Sequence, residues 1–134
     1  MRSFALDHHT IFLTLAGSQA HGTAGPDSDY DIRGVCRAPL ATRLSLFGSF
    51  EQHEGAVPQG FEEPVRAALA RRRSEDLAGM VGVECVIFDL AKFVSLCAGA
   101  NPNALEILFA DERDWIFATP QWHSLHRQRH RFLT

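Results

Sequence analysis

The chain of 134 residues has few cysteines, little excess charge of either sign and no long apolar segment. Its three cysteines include no Cys-x-x-Cys pair, which argues against a disulfide framework and a cysteine zinc site. Buried thiols in a reducing compartment are the ordinary alternative. The apolar stretches are far shorter than the roughly 20 residues that a bilayer-spanning helix needs, and no basic region precedes a long apolar one. We therefore predict a cytoplasmic protein with no membrane partner.

The charge and composition describe an ordinary globular protein. The formal net charge is −3, and a protein that wraps a polynucleotide usually presents a basic face, so any contact with RNA or DNA must be local. Hydrophobic residues make up 46% and charged residues 22%, which excludes disordered and collagen-like classes. The length predicts a single domain over residues 1–134.

An apolar run ends abruptly in a small-residue pair near the N-terminus. Residues 11–15, Ile-Phe-Leu-Thr-Leu, predict a strand, and Gly17-Ser18 follows it. A strand that runs into such a turn leaves backbone N–H groups free to bind phosphate oxygens, and the Ser18 hydroxyl adds a donor. A Gly-Ser pair alone is weak evidence, because most such pairs are simple turns.

Two carboxylates follow that turn within a second predicted strand, residues 29–37. Alternate side chains of a strand share a face, so Asp29, Asp31 and Arg33 project together. Neighbouring carboxylates repel each other unless a cation lies between them, and their hard oxygens suit Mg²⁺ or Mn²⁺. The alternative is a solvated edge strand whose aspartates form turns after Gly25-Pro26.

Together these residues carry a family resemblance. Gly17-Ser18, ten further residues and Asp29-x-Asp31 resemble the signature of the polymerase-beta-like nucleotidyltransferase superfamily. The sequence looks most like the predicted nucleotidyltransferases associated with RNA ligases in RNA repair, over residues 10–39 and more loosely over 84–109. The resemblance implies a minimal α/β (α+β) fold, a short mixed sheet flanked by helices. Relatives usually continue into further helices, which we expect to be absent here.

The resemblance also implies a chemistry. Such proteins move a nucleoside monophosphate from a nucleoside triphosphate to a hydroxyl, here an RNA or DNA end, with two Mg²⁺ or Mn²⁺ ions. By analogy, Gly17 and Ser18 would hold the triphosphate, and Asp29 and Asp31 would bind both ions. A third carboxylate on a neighbouring strand completes the site and can take the proton of the attacking hydroxyl; Glu84 occupies that position.

Glu84 and Arg33 each have a second interpretation. Residues 81–88 are apolar on both faces and predict a central strand, in which a carboxylate is costly unless a metal ion compensates it. Glu84 is then either a metal ligand or the exposed end of that strand. Arg33 shares a face with the aspartates, where it either neutralises transition-state charge on the nucleotide or only relieves their repulsion.

The acceptor stays open at the level of sequence. Small antitoxin-type nucleotidyltransferases modify a protein hydroxyl, which would make a protein the partner. The same metal centre with water as nucleophile would make a nuclease or phosphodiesterase. A catalytically silent nucleotide-binding module is a further alternative.

The remaining sequence predicts connecting elements. Residues 47–60 have no clear period and predict a loop, and residues 61–80 predict a helix whose Arg71-Arg72-Arg73 either grips a phosphate backbone or faces solvent. Asp89 is the predicted N-cap of a helix that ends at Gly99. Asn103, three residues before Glu106, predicts a capping box for the next helix.

The C-terminal residues carry three histidines at helical spacing, interleaved with arginines. His123, His126 and His130 are predicted on one face. Zinc binding is disfavoured because no cysteine or carboxylate joins them. A basic strip for nucleic acid and an ordinary solvated terminus remain as alternatives.

Overall fold

A computed structural model describes residues 4–16, 30–46, 50–72 and 83–133, which form an α+β fold of five strands and six α-helices. The strands are β1 Thr10–Ala16, β2 Tyr30–Cys36, β3 Gln52–Gly55, β4 Val83–Asp89 and β5 Trp115–Ala118. The helices are α1 Leu6–His9, α2 Leu40–Arg43, α3 Glu62–Arg72, α4 Leu90–Ala98, α5 Pro102–Leu108 and α6 Pro120–Arg127. The expected fold class, a mixed sheet flanked by helices, is confirmed.

The sheet is mixed, and its strand order is β3-β4-β2-β1-β5. Strands β2 and β4 run parallel, while the other neighbouring pairs are antiparallel. Parallel neighbours need a long crossover, and here the chain between β2 and β4 includes β3 and α3. The two strands that carry the predicted carboxylates are therefore direct neighbours near the centre of the sheet.

Helix α3 covers one face of this sheet. Alternate residues of the strands, such as Leu13, Ile32 and Ile87, point to this face and are buried. Val65 and Leu69 of α3 pack against them at the spacing of one helical turn. These buried apolar side chains form the first core of the protein.

Helices α4, α5 and α6 cover part of the other face. Phe12 of β1 stacks on Trp122 of α6 with ring centroids 3.8 Å apart, and Phe93 of α4 lies 5.8 Å from the same indole. Val35 of β2 joins this second core. The apolar cover ends there, because the preceding residues of β2 on this face are Arg33 and Asp31.

One boundary prediction was wrong, and another lies partly outside the described residues. Residues 47–60 were expected to form a loop, but they include β3, which pairs with β4 from Gln52 opposite Phe88 to Gly55 opposite Cys85. Its four residues lack an apolar pattern because the strand lies at the sheet edge, with both faces partly exposed. The predicted helix over residues 61–80 is described only as far as Arg72.

The capping predictions were correct for α4 and wrong for α5. Asp89 caps α4 by accepting a hydrogen bond from the Ala91 N–H at 3.1 Å, and the helix ends at Gly99, as expected. The capping box at Asn103 was wrong: Asn101 caps α5, accepting from the Ala104 N–H at 3.1 Å. Pro102 therefore occupies the first helical turn, where its missing N–H costs nothing.

The three cysteines are buried and free, as predicted. Burial raises the pKa of Cys36 and Cys85 to about 12 and that of Cys97 to about 11, so none is a thiolate at neutral pH. Within the described part of the chain, no helix is long and apolar enough to cross a membrane.

Candidate active site

Two carboxylates face each other across the parallel strands. Asp31 of β2 lies directly opposite Glu84 of β4 in the strand register. Both are the second residue of their strand, and both point to the face that the helices leave open. Their side chains are 31% and 61% exposed, so a charged ligand can reach them without a rearrangement of the core.

Arg33 places a positive charge close to both carboxylates. Its Nη2 lies 3.9 Å from Asp31 Oδ1 and 4.0 Å from Glu84 Oε1. Its Nη1 donates a hydrogen bond to the Ile32 carbonyl at 3.0 Å, which holds the side chain near its own strand. Like charges directly opposite each other destabilise a sheet, and a shared guanidinium offsets that repulsion. Arg33 thus separates two carboxylates that both stay accessible.

The three residues line a cleft of about 330 Å³ on the open part of this face. Its floor comes from the strands and its wall from α5. The other lining residues are Ala16, Gln52, Glu54, Val86, Phe88, Asn103, Glu106 and Ile107. Four carboxylates and one guanidinium therefore surround the cleft, which makes it acidic.

The lining of the cleft changes character along β4. Glu84, Val86 and Phe88 share a face because strand side chains alternate, and each pair is about 6.6 Å further along the strand. The cleft is thus polar at the beginning of β4 and apolar towards its end. Phe88 also packs against the second core, which fixes its position.

The structure brings together three of the predicted site residues, Asp31, Arg33 and Glu84. Asp29, Gly17 and Ser18 lie outside the described residues. The chain leaves β1 at Ala16, which is paired with Asp31 and lines the cleft.

The carboxylate oxygens at this site are of the chemical type that binds divalent cations. Carboxylates from two neighbouring strands converge, and hard oxygens of this type are those that Mg²⁺ and Mn²⁺ prefer. Among the described residues, no three His, Cys, Asp or Glu side chains are grouped to hold a metal. Asp29, which the sequence predicts as a ligand of both ions beside Asp31, lies outside the described residues. A site for Mg²⁺ or Mn²⁺ therefore remains a prediction that the donor chemistry supports.

Two elements of the cleft were not foreseen from the sequence. Gln52 and Glu54 reach it from β3, and the Gln52 amide donates to Glu54 Oε1 at 3.0 Å. Asn103 and Glu106 reach it from α5. The preference of proline for the first helical turn was a usable signal, since it assigns the cap to the residue before Pro102 and frees Asn103 for another role.

The histidines of the C-terminal segment pack on aromatic rings. His123 and His126 lie 5.4 and 4.8 Å from the Trp115 ring, and His130 lies 5.5 Å from Phe109. Burial lowers the pKa of His126, and the nearby positive charge of Arg129 lowers it further. His126 is therefore mostly neutral at pH 7, which reduces the charge of the proposed basic strip.

Comparison with known proteins identifies the family of the chain. The sequence profile of the RNA repair pathway DNA polymerase beta family matches residues 3–133, which is nearly the whole chain. No curated protein and no solved structure matches the chain significantly. The matched range includes the cleft and the segment that carries Gly17-Ser18 and Asp29.

Proposed function

Because the chain belongs to the RNA repair pathway DNA polymerase beta family, we propose that it is a nucleotidyltransferase acting on RNA ends. It transfers a nucleoside monophosphate from a nucleoside triphosphate to a hydroxyl of the RNA. The observation that carries this proposal is the direct pairing of Asp31 with Glu84 at the polar end of an open cleft. An acidic pair held on two rigid strands suits phosphoryl transfer, in which positioning and charge stabilisation do most of the catalysis.

In the proposed reaction the acceptor oxygen attacks the α-phosphorus. A new P–O bond forms, the bond to the bridging oxygen of the β-phosphate breaks, and its electron pair leaves with pyrophosphate. Glu84 accepts the proton of the acceptor hydroxyl. Its larger exposure leaves room for that hydroxyl, whereas Asp31 is held more closely against the sheet.

Asp29, Asp31 and Glu84 would hold the divalent cations. Bound Mg²⁺ or Mn²⁺ would stabilise the negative charge that develops on the α-phosphate and on pyrophosphate. The backbone of Gly17 and the Ser18 hydroxyl would bind the triphosphate, since they directly follow the strand end beside Asp31.

Arg33 would act on the carboxylates rather than on the nucleotide. It lies within 4.0 Å of both, and its second amino group is occupied by a backbone carbonyl. Its positive charge offsets the repulsion between the Asp31 and Glu84 carboxylates before the substrate arrives.

The proposal is tested by incubating the protein with each α-labelled nucleoside triphosphate, Mg²⁺ or Mn²⁺, and single-stranded RNA or DNA. Asp31→Asn and Glu84→Gln keep the shape of each side chain and remove its charge. We expect each to lower the rate of label transfer to RNA by at least about 100-fold, because removing a single electrostatic or acid–base contributor costs that much.

The matched control is Glu63→Gln, which removes an exposed carboxylate from α3, outside the cleft. It should transfer label at the wild-type rate. Shortening of the RNA without label transfer, label on the protein itself, or equal activity of wild type and Asp31→Asn would each contradict the proposal.

A further inference from the structure

The end of the cleft furthest from β1 is formed by Gln52 and Phe88, which the proposed reaction does not use. Gln52 lies on the edge strand β3, opposite Phe88 of β4, and Asn103 lies on the first turn of α5. All three line the same cleft as Asp31 and Glu84. Two side-chain amides and a half-buried aromatic ring thus share one cleft with the acidic pair.

Among the described contacts, none shows that the fold needs the amides of Gln52 and Asn103, whereas Phe88 is held in place by the second core. Asn101, not Asn103, caps α5, and Asn103 is exposed. The Gln52 amide donates to Glu54 Oε1, so the amide has a fixed orientation while its carbonyl oxygen is left to accept. An oriented amide at a partly exposed edge is suited to a ligand with hydrogen-bond donors.

The charge of this end of the cleft restricts what can bind there. Glu54 is hydrogen-bonded to Gln52 there, Glu106 lies one helical turn from Asn103, and an anion placed near these two carboxylates would be repelled. A neutral group with hydroxyl or amino donors would instead be attracted. A nucleoside meets this description, whereas a triphosphate does not.

The direction of the reaction indicates whether this nucleoside belongs to the donor nucleotide or to the acceptor, and this step rests on the proposed function. In phosphoryl transfer the attacking and leaving oxygens are roughly in line. The strands that cross the cleft are, in order, β1, β2, β4 and β3. If pyrophosphate leaves on the β1 side, the attacking hydroxyl approaches from the side of β4 and β3. The nucleoside beside Gln52 therefore belongs to the acceptor.

We propose that Gln52 and Asn103, together with the ring of Phe88, bind the terminal nucleoside of the RNA end that receives the nucleotide. The base packs on Phe88, as bases do on exposed aromatic rings in proteins that bind single strands. The two amides bind the sugar hydroxyls and the edge of the base. Recognition of one nucleoside agrees with the net charge of −3, because a protein that wraps a polynucleotide usually presents a basic face.

The test is a binding measurement that does not depend on turnover. A four-nucleotide RNA with a 5′-fluorescein and a free 3′-hydroxyl is titrated with the protein, and the Kd is taken from fluorescence anisotropy. Gln52→Ala and Asn103→Ala should each raise this Kd about threefold to tenfold, the effect of losing one neutral hydrogen bond. The Kd of the α,β-methylene analogue of each nucleoside triphosphate, measured with Mg²⁺, should change less than twofold.

Gln121→Ala provides a matched control, because Gln121 is an exposed amide on α6 that does not line the cleft. It should leave both Kd values unchanged. The DNA tetranucleotide of the same sequence should bind more weakly than RNA to wild type, and this difference should shrink in the Gln52 and Asn103 variants.

The outcomes separate this inference from the proposed function. Wild-type affinity for RNA in both variants, no RNA binding by the wild type, or weaker binding of the nucleotide analogue alone would overturn the inference. Weaker RNA binding by both variants, in a protein that transfers no label, would support the inference and contradict the proposed function. Where transfer occurs, the KM for RNA should rise while the KM for the nucleotide stays constant.

Discussion

The two ends of one sheet face differ in what covers them. At one end Phe12 and Val35 are buried beneath α4, α5 and α6, with Trp122 stacked on Phe12. At the other end Asp31 and Glu84 face a cleft of about 330 Å³. The same strands supply both ends, and their alternation is unbroken between them. The site thus begins where the aromatic cover ends, so the rigidity of the core extends directly to the acidic pair.

The largest effect expected is a loss of stability at the covered end. Trp122→Ala removes a fully buried indole that contacts Phe12 and Phe93, so the free energy of unfolding should fall by about 3–5 kcal/mol. Trp122→Phe should cost much less, because in the described part of the chain the indole Nε1 is buried without a hydrogen-bond partner. Urea denaturation of both variants measures the difference. Equal losses would mean that ring packing at this end carries little of the stability.

A smaller loss is expected at Gly34 of β2, which lies between Arg33 and Val35 and whose Cβ would point to the opposite face of the sheet. A Cβ at this position would contact the Phe12 carbonyl oxygen and would lie 2.7 Å from Leu13 Cδ2. Gly34→Ala should therefore lower the free energy of unfolding by about 1–3 kcal/mol.

The control for Gly34 is Gly99→Ala at the end of α4, where the nearest atom to a Cβ is 3.5 Å away and φ is −84°. This variant should be as stable as the wild type or slightly more stable. The contrast is measured by urea denaturation. A harmless Gly34→Ala would show that β1 and β2 separate easily.

At the open end a charge should matter more than packing. Arg33→Gln leaves Asp31 and Glu84 opposite each other without a cation, so the free energy of unfolding should fall by about 0.2–1 kcal/mol. Added Mg²⁺ should recover much of this loss, and NaCl should do so less efficiently. Arg37→Gln, an exposed arginine just past β2, is the control. Both variants are measured by thermal denaturation with and without Mg²⁺. Equal responses of the two variants to Mg²⁺ would refute this account.

The smallest effect expected is a pH dependence at the covered end. Burial and the charges of Arg129, His123 and His130 lower the pKa of His126, while Glu112 opposes them. Its neutral form is thus favoured in the folded state. The contribution of neutral His126 to the stability of the fold is complete above the pKa of about 6.5 that the residue has in the unfolded chain. This contribution is lost as the pH falls through its lower pKa in the folded protein.

This pH dependence is measured by thermal denaturation between pH 7.5 and 5.5. His126→Gln should lose less stability on acidification than the wild type, because it has no group to protonate. An equal slope in both proteins would assign the acid sensitivity to other residues.

Most features that depend on residues close together in the sequence were predicted correctly. Strand alternation placed Asp31 and Arg33 on one face, and the N-cap preference of aspartate located the start of α4 at Asp89. The resemblance to a known superfamily added Glu84 as their neighbour on another strand, which the register confirms. Spacing alone provides no such distance information.

Elements defined by long-range contacts were not predictable in the same way. Strands β3 and β5 have four residues each, and pairing with β4 and β1, respectively, holds them in the sheet. Gln52 therefore looked like part of a loop. Asn103 was missed for a different reason, since it was assigned to a cap that Asn101 supplies.

The parallel pairing of β2 with β4 also determines when the site can form during folding. β1 and β2 are neighbours both along the chain and in the sheet, so they can pair early, with only local loop closure. Asp31 meets Glu84 only after the crossover through β3 and α3 has closed, and such non-local pairing is intrinsically slow. On the ribosome, a nascent chain that has emerged only as far as α3 would carry Asp31 without its partner Glu84. The proposed site is therefore complete only when the two central strands are paired.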